Sequence, residues 1–519
     1  MSASSDNSRG SSIVSERTAL LMSFVLISAA YFYSAIVTAI TKSLWMDEVL
    51  AVATARLPTL GDIWSAIWSG AEFSPPTYHV FLHVLIGLAG THDDRLVVRL
   101  PSIMAVYVAA LCIGILVRRR LGSTAAVICL GVILCSGLFD YAVQARQYAL
   151  LSLGLAAALL IWDGVSATKQ PKSRAVALWL VLSIALCLHF YGVILVATIG
   201  VAELLWFTTR REFRWTVWLP LVATAPVAAA WYPLASHLAM FNAGDNLASN
   251  YYARPIFGSL APALVDLMLG GERNAMLWLE TAALVGVTYL LRPGAAATSA
   301  SDTTADFADR PDVLSGLGII IVALCALPII TFCLSYFVTG SFSARYMSEV
   351  ALLSGIAVAC IWSLLPARRI VALCLIPLLV VFNVHPPRGL DSTQIALTSL
   401  AAARPPLPIV VGEGLLFIEL MEAADPQTRS RLVYLLWPPG AISPDPTNEN
   451  EVKRNAPFHP DYKVIGQDAF LAANPDFYVV FRPDATIDTT TPSLIAQGLV
   501  GNPVTADRGV LIFRTAHRD

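Results

Sequence analysis

The sequence predicts a polytopic α-helical membrane protein with about 11 spans, followed by a small C-terminal extracytoplasmic α/β domain. Of its 519 residues, 56% are hydrophobic and only 13% are charged, whereas about a quarter of the residues of a soluble protein are charged. The first apolar run, Thr18–Ile40, is longer than the apolar core of a secretory signal, which has about 7–15 residues. We therefore expect it to be an uncleaved span.

The spans follow from two rules applied together. A helix crosses a bilayer with roughly 20 apolar residues, and cytoplasmic loops are enriched in Lys and Arg. Small basic clusters recur along the chain, so the apolar runs between consecutive clusters must cross the membrane an even number of times. This parity makes Ala175–Phe207 a hairpin that turns at His189. The predicted spans are Thr18–Ile40, Leu100–Val117, Leu121–Phe139, Gln147–Trp162, the two arms of Ala175–Phe207, Trp215–Leu234, Ala275–Leu291, Val313–Val338, Ser348–Leu365 and Ile370–Val384.

This topology divides the chain into three parts. Residues 1–17 form a cytoplasmic tail, residues 18–384 form the transmembrane part with a first extracytoplasmic loop at 41–99, and residues 385–519 form the extracytoplasmic domain. Within the first loop, Thr77–Gly90 is too short to span comfortably, so we expect an interfacial helix there. The alternative, that it spans, would place Arg118 to Arg120 outside. Residues 293–312 are expected to form a polar cytoplasmic linker.

Beyond His385 the composition becomes that of a soluble domain, in which short β-type runs alternate with helix-like ones. The expected role of this domain is structural or acceptor-guiding. The predicted strands are Pro408–Val411, Leu432–Leu436, Phe477–Phe481 and Val510–Phe513, and the predicted helices are Thr393–Ala403, Leu415–Ala424 and Thr491–Gly498.

Charge and cysteine content exclude several classes of function. The formal net charge is −2 and the basic residues form no single patch, so nothing favours a nucleic-acid partner. The eight cysteines lie inside apolar runs without Cys-x-x-Cys spacing. They therefore predict neither a disulfide framework nor a zinc site.

Two adjacent carboxylates, Asp47 and Glu48, follow the first span within the motif Trp45-Met46-Asp47-Glu48. One interpretation is a solvated pair that favours a helix N-terminus. The other is a general base at the membrane surface, because a carboxylate within hydrogen-bond reach of a hydroxyl accepts its proton during attack. The sequence predicts Asp47 as the base and Glu48 as an orienting or substrate-binding neighbour.

The remaining candidate site residues are also predicted on the outer side. An arginine near bilayer depth is either a snorkelling anchor or a contact for a lipid phosphate, whose oxygens match its donor fork. A histidine on an apolar face is either structural or functional. Because the topology puts all of these residues on one side, we expect them to share a site. They are Tyr78, His79, Gln144, Arg146, His189, Arg345 and Tyr346.

The chain resembles the GT-C class of integral-membrane glycosyltransferases, in particular the family 39/83 group that includes protein O-mannosyltransferases and lipid A aminoarabinose transferases. The resemblance covers about residues 18–365 and consists of an ordered set of motifs. At Ser74, many relatives have a Lys or His. Two alternatives follow: Arg146, Arg345 or His79 supplies that charge here, or the donor is bound more weakly or differently. The motifs are Trp45-x-Asp47-Glu48, Pro75-Pro76-Thr77-Tyr78 with His83, Arg99-Leu100-Pro101-Ser102, Gln144 to Ala149, His189-Phe190-Tyr191-Gly192 and Ala344-Arg345-Tyr346.

The resemblance implies transfer of a sugar from a polyprenyl-phosphate donor to a glycan, lipid or protein acceptor outside the cytoplasmic (inner) membrane. It implies that Asp47 is the base of an inverting reaction and that Arg146 and Arg345 bind the phosphate. Arginine alone neutralises such a leaving group, so no metal and no cofactor is expected. Two alternatives are a transporter or lipid flippase, whose charged residues would line a path, and a silent assembly subunit. The absence of an evident internal repeat favours the enzyme.

Overall fold

The computed structural model describes most of the chain. The described residues are 5–90, 95–165, 171–245, 253–270, 311–365, 368–384, 391–402, 406–437, 446–481, 494, 503–507 and 510–514. The predicted span Ala275–Leu291 lies outside them, as do nearly all of the predicted linker 293–312 and of the predicted helix Thr491–Gly498.

Long apolar helices dominate the first three quarters of the chain. In the described residues, six helical stretches are long and apolar enough to cross a membrane: Arg17–Thr41, Arg95–Leu121, Phe190–Arg210, Trp215–Phe241, Gly316–Thr339 and Ala344–Leu364. Five more apolar helices have 10–17 residues. The polytopic helical class is therefore confirmed, while the count of about 11 spans stays a prediction.

Most of the helices pack around one large apolar core, while those of the first loop belong to separate, smaller apolar clusters. Their bounds in chain order are α1 Ser5–Thr41, α2 Met46–Ala55, α3 Leu60–Trp68, α4 Thr77–Ala89, α5 Arg95–Leu121, α6 Ser123–Cys135, α7 Leu138–Ala142, α8 Tyr148–Gly164, α9 Pro171–Leu188, α10 Val193–Arg210, α11 Trp215–Ala223, α12 Ala225–Asp245, α13 Leu260–Leu269, α14 Pro311–Leu334, α15 Ala351–Leu364 and α16 Arg368–Asn383.

The predicted hairpin in Ala175–Phe207 is present as a break between α9 and α10. Helix α9 ends at Leu188, a short 3-10 turn covers Phe190–Gly192, and α10 begins at Val193. At the turn, His189 accepts the backbone N–H of Tyr191 on its Nδ1 atom at 3.0 Å. The turn also needs a residue without a side chain, since a Cβ atom on Gly192 would lie 2.4 Å from the carbonyl oxygen of Ala185.

A six-stranded sheet and further helices form the C-terminal region, 391–514. The strand order is β3-β2-β1-β4-β6-β5, with parallel pairing of β1 to β2 and β4 and of β2 to β3, and antiparallel pairing at β6. The strands are β1 Ile409–Val411, β2 Leu432–Leu436, β3 Val464–Gly466, β4 Tyr478–Phe481, β5 Pro503–Asp507 and β6 Val510–Arg514, and the helices are α17 Ser392–Ala402, α18 Gly414–Ala423, α19 Pro426–Arg429, α20 Pro446–Asn455 and α21 Gln467–Ala473.

The C-terminal region is anchored on the first loop of the transmembrane part. Buried apolar residues of α2 and α18 belong to the same core cluster. A carboxylate of the C-terminal region also caps the N-terminus of α2, because the backbone N–H of Met46 donates to Glu419 at 3.1 Å. On the far end of α2, Arg56 pairs with Glu422 at 2.6 Å. These contacts hold the first turn of α2, which carries the two adjacent carboxylates, against the C-terminal region.

Candidate active site

A cavity of about 520 Å³ lies where the ends of several helices meet the first loop and the C-terminal region. Five of the predicted site residues line it: Asp47, Arg146, His189, Arg345 and Tyr346. Four others do not line it: Glu48, Tyr78, His79 and Gln144. The cavity is thus formed by residues from distant parts of the chain.

Asp47 and Arg345 form an ion pair in this cavity through Oδ2 and Nη1. Asp47 lies in the first turn of α2, where the helix N-terminus favours a negative charge. The Arg345 guanidinium is within 6.0 Å of the ring centroid of Trp45 and 5.6 Å of that of Tyr346. These two rings flank a guanidinium that keeps about 15% of its side chain accessible.

Arg146 is held by several hydrogen bonds. Its Nη1 donates to the carbonyl oxygen of Asp47 at 2.9 Å and to Glu72 at 3.0 Å, and its Nη2 donates to the other Glu72 oxygen at 3.3 Å. Burial alone would raise the pKa of Glu72, but Arg146, together with His79, outweighs burial and holds that pKa well below its usual range. Arg146 and Glu72 therefore form a charge-compensated pair in the wall of the cavity.

Glu72 was not predicted from the sequence. It lies in the first loop between α3 and α4, where no helix periodicity or motif singles it out. Its side chain is also 3.7 Å from Nε2 of His79, which is fully buried behind it. The only sequence signal for Glu72 is that it stands two residues before Ser74, in the part of the loop where the resemblance already implies a charged residue. Ser74 itself is buried and does not line the cavity.

Glu48 occupies a different environment from Asp47, although the two are adjacent. Its carboxylate is completely buried and accepts two hydrogen bonds from Arg99, both at 2.8 Å, and one from the backbone N–H of Ala145 at 2.7 Å. Arg99 in turn donates to the carbonyl oxygens of Ala39, Lys42 and Ser43, each at 2.8 Å. Glu48 therefore joins the end of α1, the start of α2 and the segment next to Arg146.

The histidine and tyrosines of the cavity form an aromatic wall. Burial, followed by the nearby Arg146, lowers the pKa of His189 to about 3, so its imidazole is neutral. Because Nδ1 accepts a hydrogen bond from Tyr191, the ring proton is on Nε2. Tyr346 stacks on Tyr191 with ring centroids 4.2 Å apart, and Tyr148 lies 5.6 Å from the His189 ring.

The other candidates do not line the cavity. Tyr78 and His79, at the start of α4, are fully buried, and Gln144 is half-buried in the turn before Arg146. The ring of His83 bonds to the carbonyl oxygen of Ala55 at 2.8 Å, a structural contact between α2 and α4. Among the described residues, no group of three His, Cys, Asp or Glu side chains is arranged to hold a metal ion.

One side of the cavity is apolar. Val193, Tyr232, Leu334 and Val338 line it, and Tyr232 and Val338 are each 71% exposed. The cavity therefore joins charged groups, on the side of the first loop, to an apolar surface on helices that belong to candidate spans. This combination suits a ligand with an anionic head and an apolar chain.

No protein-family profile matches the sequence, and no curated protein is significantly similar to it. Solved structures of similar fold do exist. The structure of ArnT from Cupriavidus metallidurans bound to undecaprenyl phosphate has a TM-score of 0.52 at 14% identity, covering 94% of this chain and 97% of that one. The apo form of the same protein gives a TM-score of 0.48 at 17% identity, with the same coverage. The oligosaccharyltransferase of Archaeoglobus fulgidus with zinc and sulfate gives 0.42 at 13%, covering 78% of this chain and 62% of that one.

The fold is thus similar to that of a GT-C glycosyltransferase over nearly the whole length of the chain. At this identity the similarity concerns the fold. The resemblance inferred from the sequence motifs is confirmed at that level, and the activity is argued from the site.

Proposed function

We propose that the protein is a glycosyltransferase that moves a sugar from a polyprenyl-phosphate donor to an acceptor hydroxyl on the outer face of the cytoplasmic membrane. The observation that carries the proposal is the Asp47–Arg345 pair in a cavity that also has an apolar wall. A carboxylate and a guanidinium are the base and the phosphate ligand that such a reaction needs. The bound undecaprenyl phosphate of the ArnT structure supports the donor class.

Arg345 is the main phosphate contact in this proposal. Arg146 already holds both oxygens of Glu72, so a phosphate there must compete with a buried and compensated carboxylate. At Arg345 the phosphate competes with Asp47, which also lines the cavity. The exchange has a useful consequence, because a phosphate that takes over Arg345 releases the Asp47 carboxylate to accept a proton.

The reaction then runs as a single inverting displacement. The acceptor hydroxyl gives its proton to Asp47 and its oxygen forms a bond to the anomeric carbon of the sugar. The bond between that carbon and the phosphate oxygen breaks, and its electron pair leaves with the polyprenyl phosphate. Arg345, assisted by Arg146, stabilises the charge on the departing phosphate. His189 also lines the cavity, and we assign its Nε2–H as a donor to the same phosphate or to the sugar.

The test is sugar transfer from radiolabelled undecaprenyl-phosphate sugars to envelope lipids and glycans by the purified protein. We expect Asp47→Asn to abolish transfer while undecaprenyl phosphate still binds, since the amide accepts no proton but Arg345 and Arg146 remain. Asp461→Asn, the same change at an exposed position outside the cavity, is the matched control. Near-normal turnover by Asp47→Asn would refute the role of this residue. Uptake of the labelled lipid into vesicles without a new glycosidic bond would instead identify a transporter or flippase.

A further inference from the structure

Helix α20 of the C-terminal region lies against the cavity. Its last residue, Asn455, donates to the carbonyl oxygen of Ala71 at 3.3 Å, next to Glu72. The guanidinium of Arg454 is 5.5 Å from the ring centroid of Phe73 and 5.0 Å from that of Phe241. These contacts seat the helix on the first loop and on α12.

Two residues of α20 line the cavity, Thr447 and Glu451. They are one helical turn apart and therefore share a face. The Oε2 atom of Glu451 is fully buried, and within the described part of the chain it has no hydrogen-bond partner. A buried carboxyl oxygen without a partner is unfavourable, so a ligand that supplies one would be recognised there.

Four charged groups act on Glu451, three from other elements and one from its own helix. Asp47 on α2 and Glu72 in the first loop repel its negative charge, while Arg345 and its own neighbour Arg454 attract it. Burial is the largest influence, and together with the two carboxylates it raises the pKa of Glu451 to about 8. At neutral pH the side chain is mainly a carboxylic acid, which has one O–H donor and an accepting carbonyl oxygen.

We propose that Glu451 is a sugar-binding residue that the C-terminal region contributes to the site, and that it hydrogen-bonds a hydroxyl group of the donor saccharide. The proposal rests on the function proposed above, because it places the donor phosphate at Arg345 with its lipid chain along the apolar wall. The sugar then lies on the opposite side of the phosphate, between Asp47 and α20. A neutral acid suits this place, since it matches a hydroxyl and does not repel the phosphate.

The test compares the binding of two kinds of probe to the purified full-length protein. One is undecaprenyl phosphate alone; the other is a panel of undecaprenyl-phosphate pentoses and hexoses, some carrying an amino group. Calorimetry or thermophoresis without acceptor gives the two dissociation constants, and their ratio isolates the contribution of the sugar. Glu422→Gln, on the face that contacts Arg56, is the control for a carboxyl-to-amide change in the same region outside the cavity.

We expect the best sugar to bind more tightly than undecaprenyl phosphate alone. Glu451→Ala should reduce the ratio about fivefold to tenfold, the effect of one lost hydrogen bond. Glu451→Gln, which keeps a donor and an acceptor, should preserve the ratio at pH 7. Raising the pH to 9.5 should reduce the ratio for the unmodified protein and for Glu422→Gln, but not for Glu451→Gln.

Three results would overturn the proposal. The first is an unchanged ratio of dissociation constants in Glu451→Ala, and the second is a panel in which no sugar binds more tightly than undecaprenyl phosphate alone. The third is a preference for amino sugars that is lost in Glu451→Gln, since that preference would require an ionised carboxylate facing an ammonium group. Transfer is measured separately. A protein that binds sugars through Glu451 but forms no glycosidic bond would contradict the proposed function and leave this inference intact.

Discussion

Replacing Glu48 with Gln is expected to destabilise the protein more than Asp47→Asn does. Glu48 and Arg99 are both completely buried and share two hydrogen bonds of 2.8 Å. Gln removes the charge, and in either orientation its NH₂ group faces an N–H of Arg99, because each Glu48 oxygen accepts a hydrogen bond from Arg99. Breaking a buried pair in this way lowers the free energy of unfolding by about 3–5 kcal/mol. Asp47→Asn breaks an ion pair whose side chains are 11% and 15% accessible, so it should destabilise the protein less than Glu48→Gln.

The assay is the loss of monodisperse protein after heating in detergent, followed by size-exclusion chromatography. We expect a clearly lower midpoint for Glu48→Gln than for the unmodified protein or for Asp47→Asn. The double variant with Arg99→Met no longer contains the unpaired guanidinium, so its loss should be smaller than the sum of the two single losses. Midpoints for Glu48→Gln equal to those of the unmodified protein, or strictly additive losses, would refute the inference that the buried Glu48–Arg99 pair stabilises the fold.

Three further predictions concern the rest of the site. Arg146→Ala should raise the KM for the donor and lower thermal stability, because Glu72 loses its buried partner; unchanged donor kinetics would exclude Arg146 from the site. Between about pH 6.5 and 3, His189 binds a proton in the unfolded protein but not in the folded protein, where its pKa is about 3, so the unmodified protein should lose stability as the pH falls through this range. His189→Gln should remove this loss; a denaturation profile unchanged by the substitution would contradict this. Gly192→Ala should prevent correct packing of the hairpin, since its Cβ would lie 2.4 Å from a carbonyl oxygen, whereas Gly200→Ala, with open space around it, should be tolerated; equal thermal stability of the two would refute the steric argument.

Topology, together with the motif resemblance, predicted nine site residues on one side of the membrane, and five of them line one cavity. Asp47, Arg146, His189, Arg345 and Tyr346 each lie where an apolar run ends, and the alternation of basic clusters put all these ends on one side. Helix ends on the same side of the membrane form one layer, in which their polar residues can line a shared cavity. The cavity contains all five.

The same reasoning could not separate residues that sit next to each other. Successive residues of a helix point about 100° apart, so Asp47 and Glu48 had to face different surroundings, but the sequence does not say which one faces the cavity. The answer depends on Arg99 and Arg345, which are 51 and 298 residues away in sequence from the carboxylates that they bind. Tyr78 and His79 illustrate the same limit, because the packing of α4 places both behind Glu72.

The sequence contains the least information on the position of Glu451. It belongs to a strongly polar helix, which would ordinarily be assigned to solvent, and it lies more than 100 residues beyond the last resembling motif. Its position over the cavity depends on where α20 docks, and this docking is set by contacts of Asn455 and Arg454 with the first loop and α12. The first loop therefore has two roles. It carries Asp47 and Glu72, and it provides the surface on which the C-terminal region places a third carboxyl group beside them.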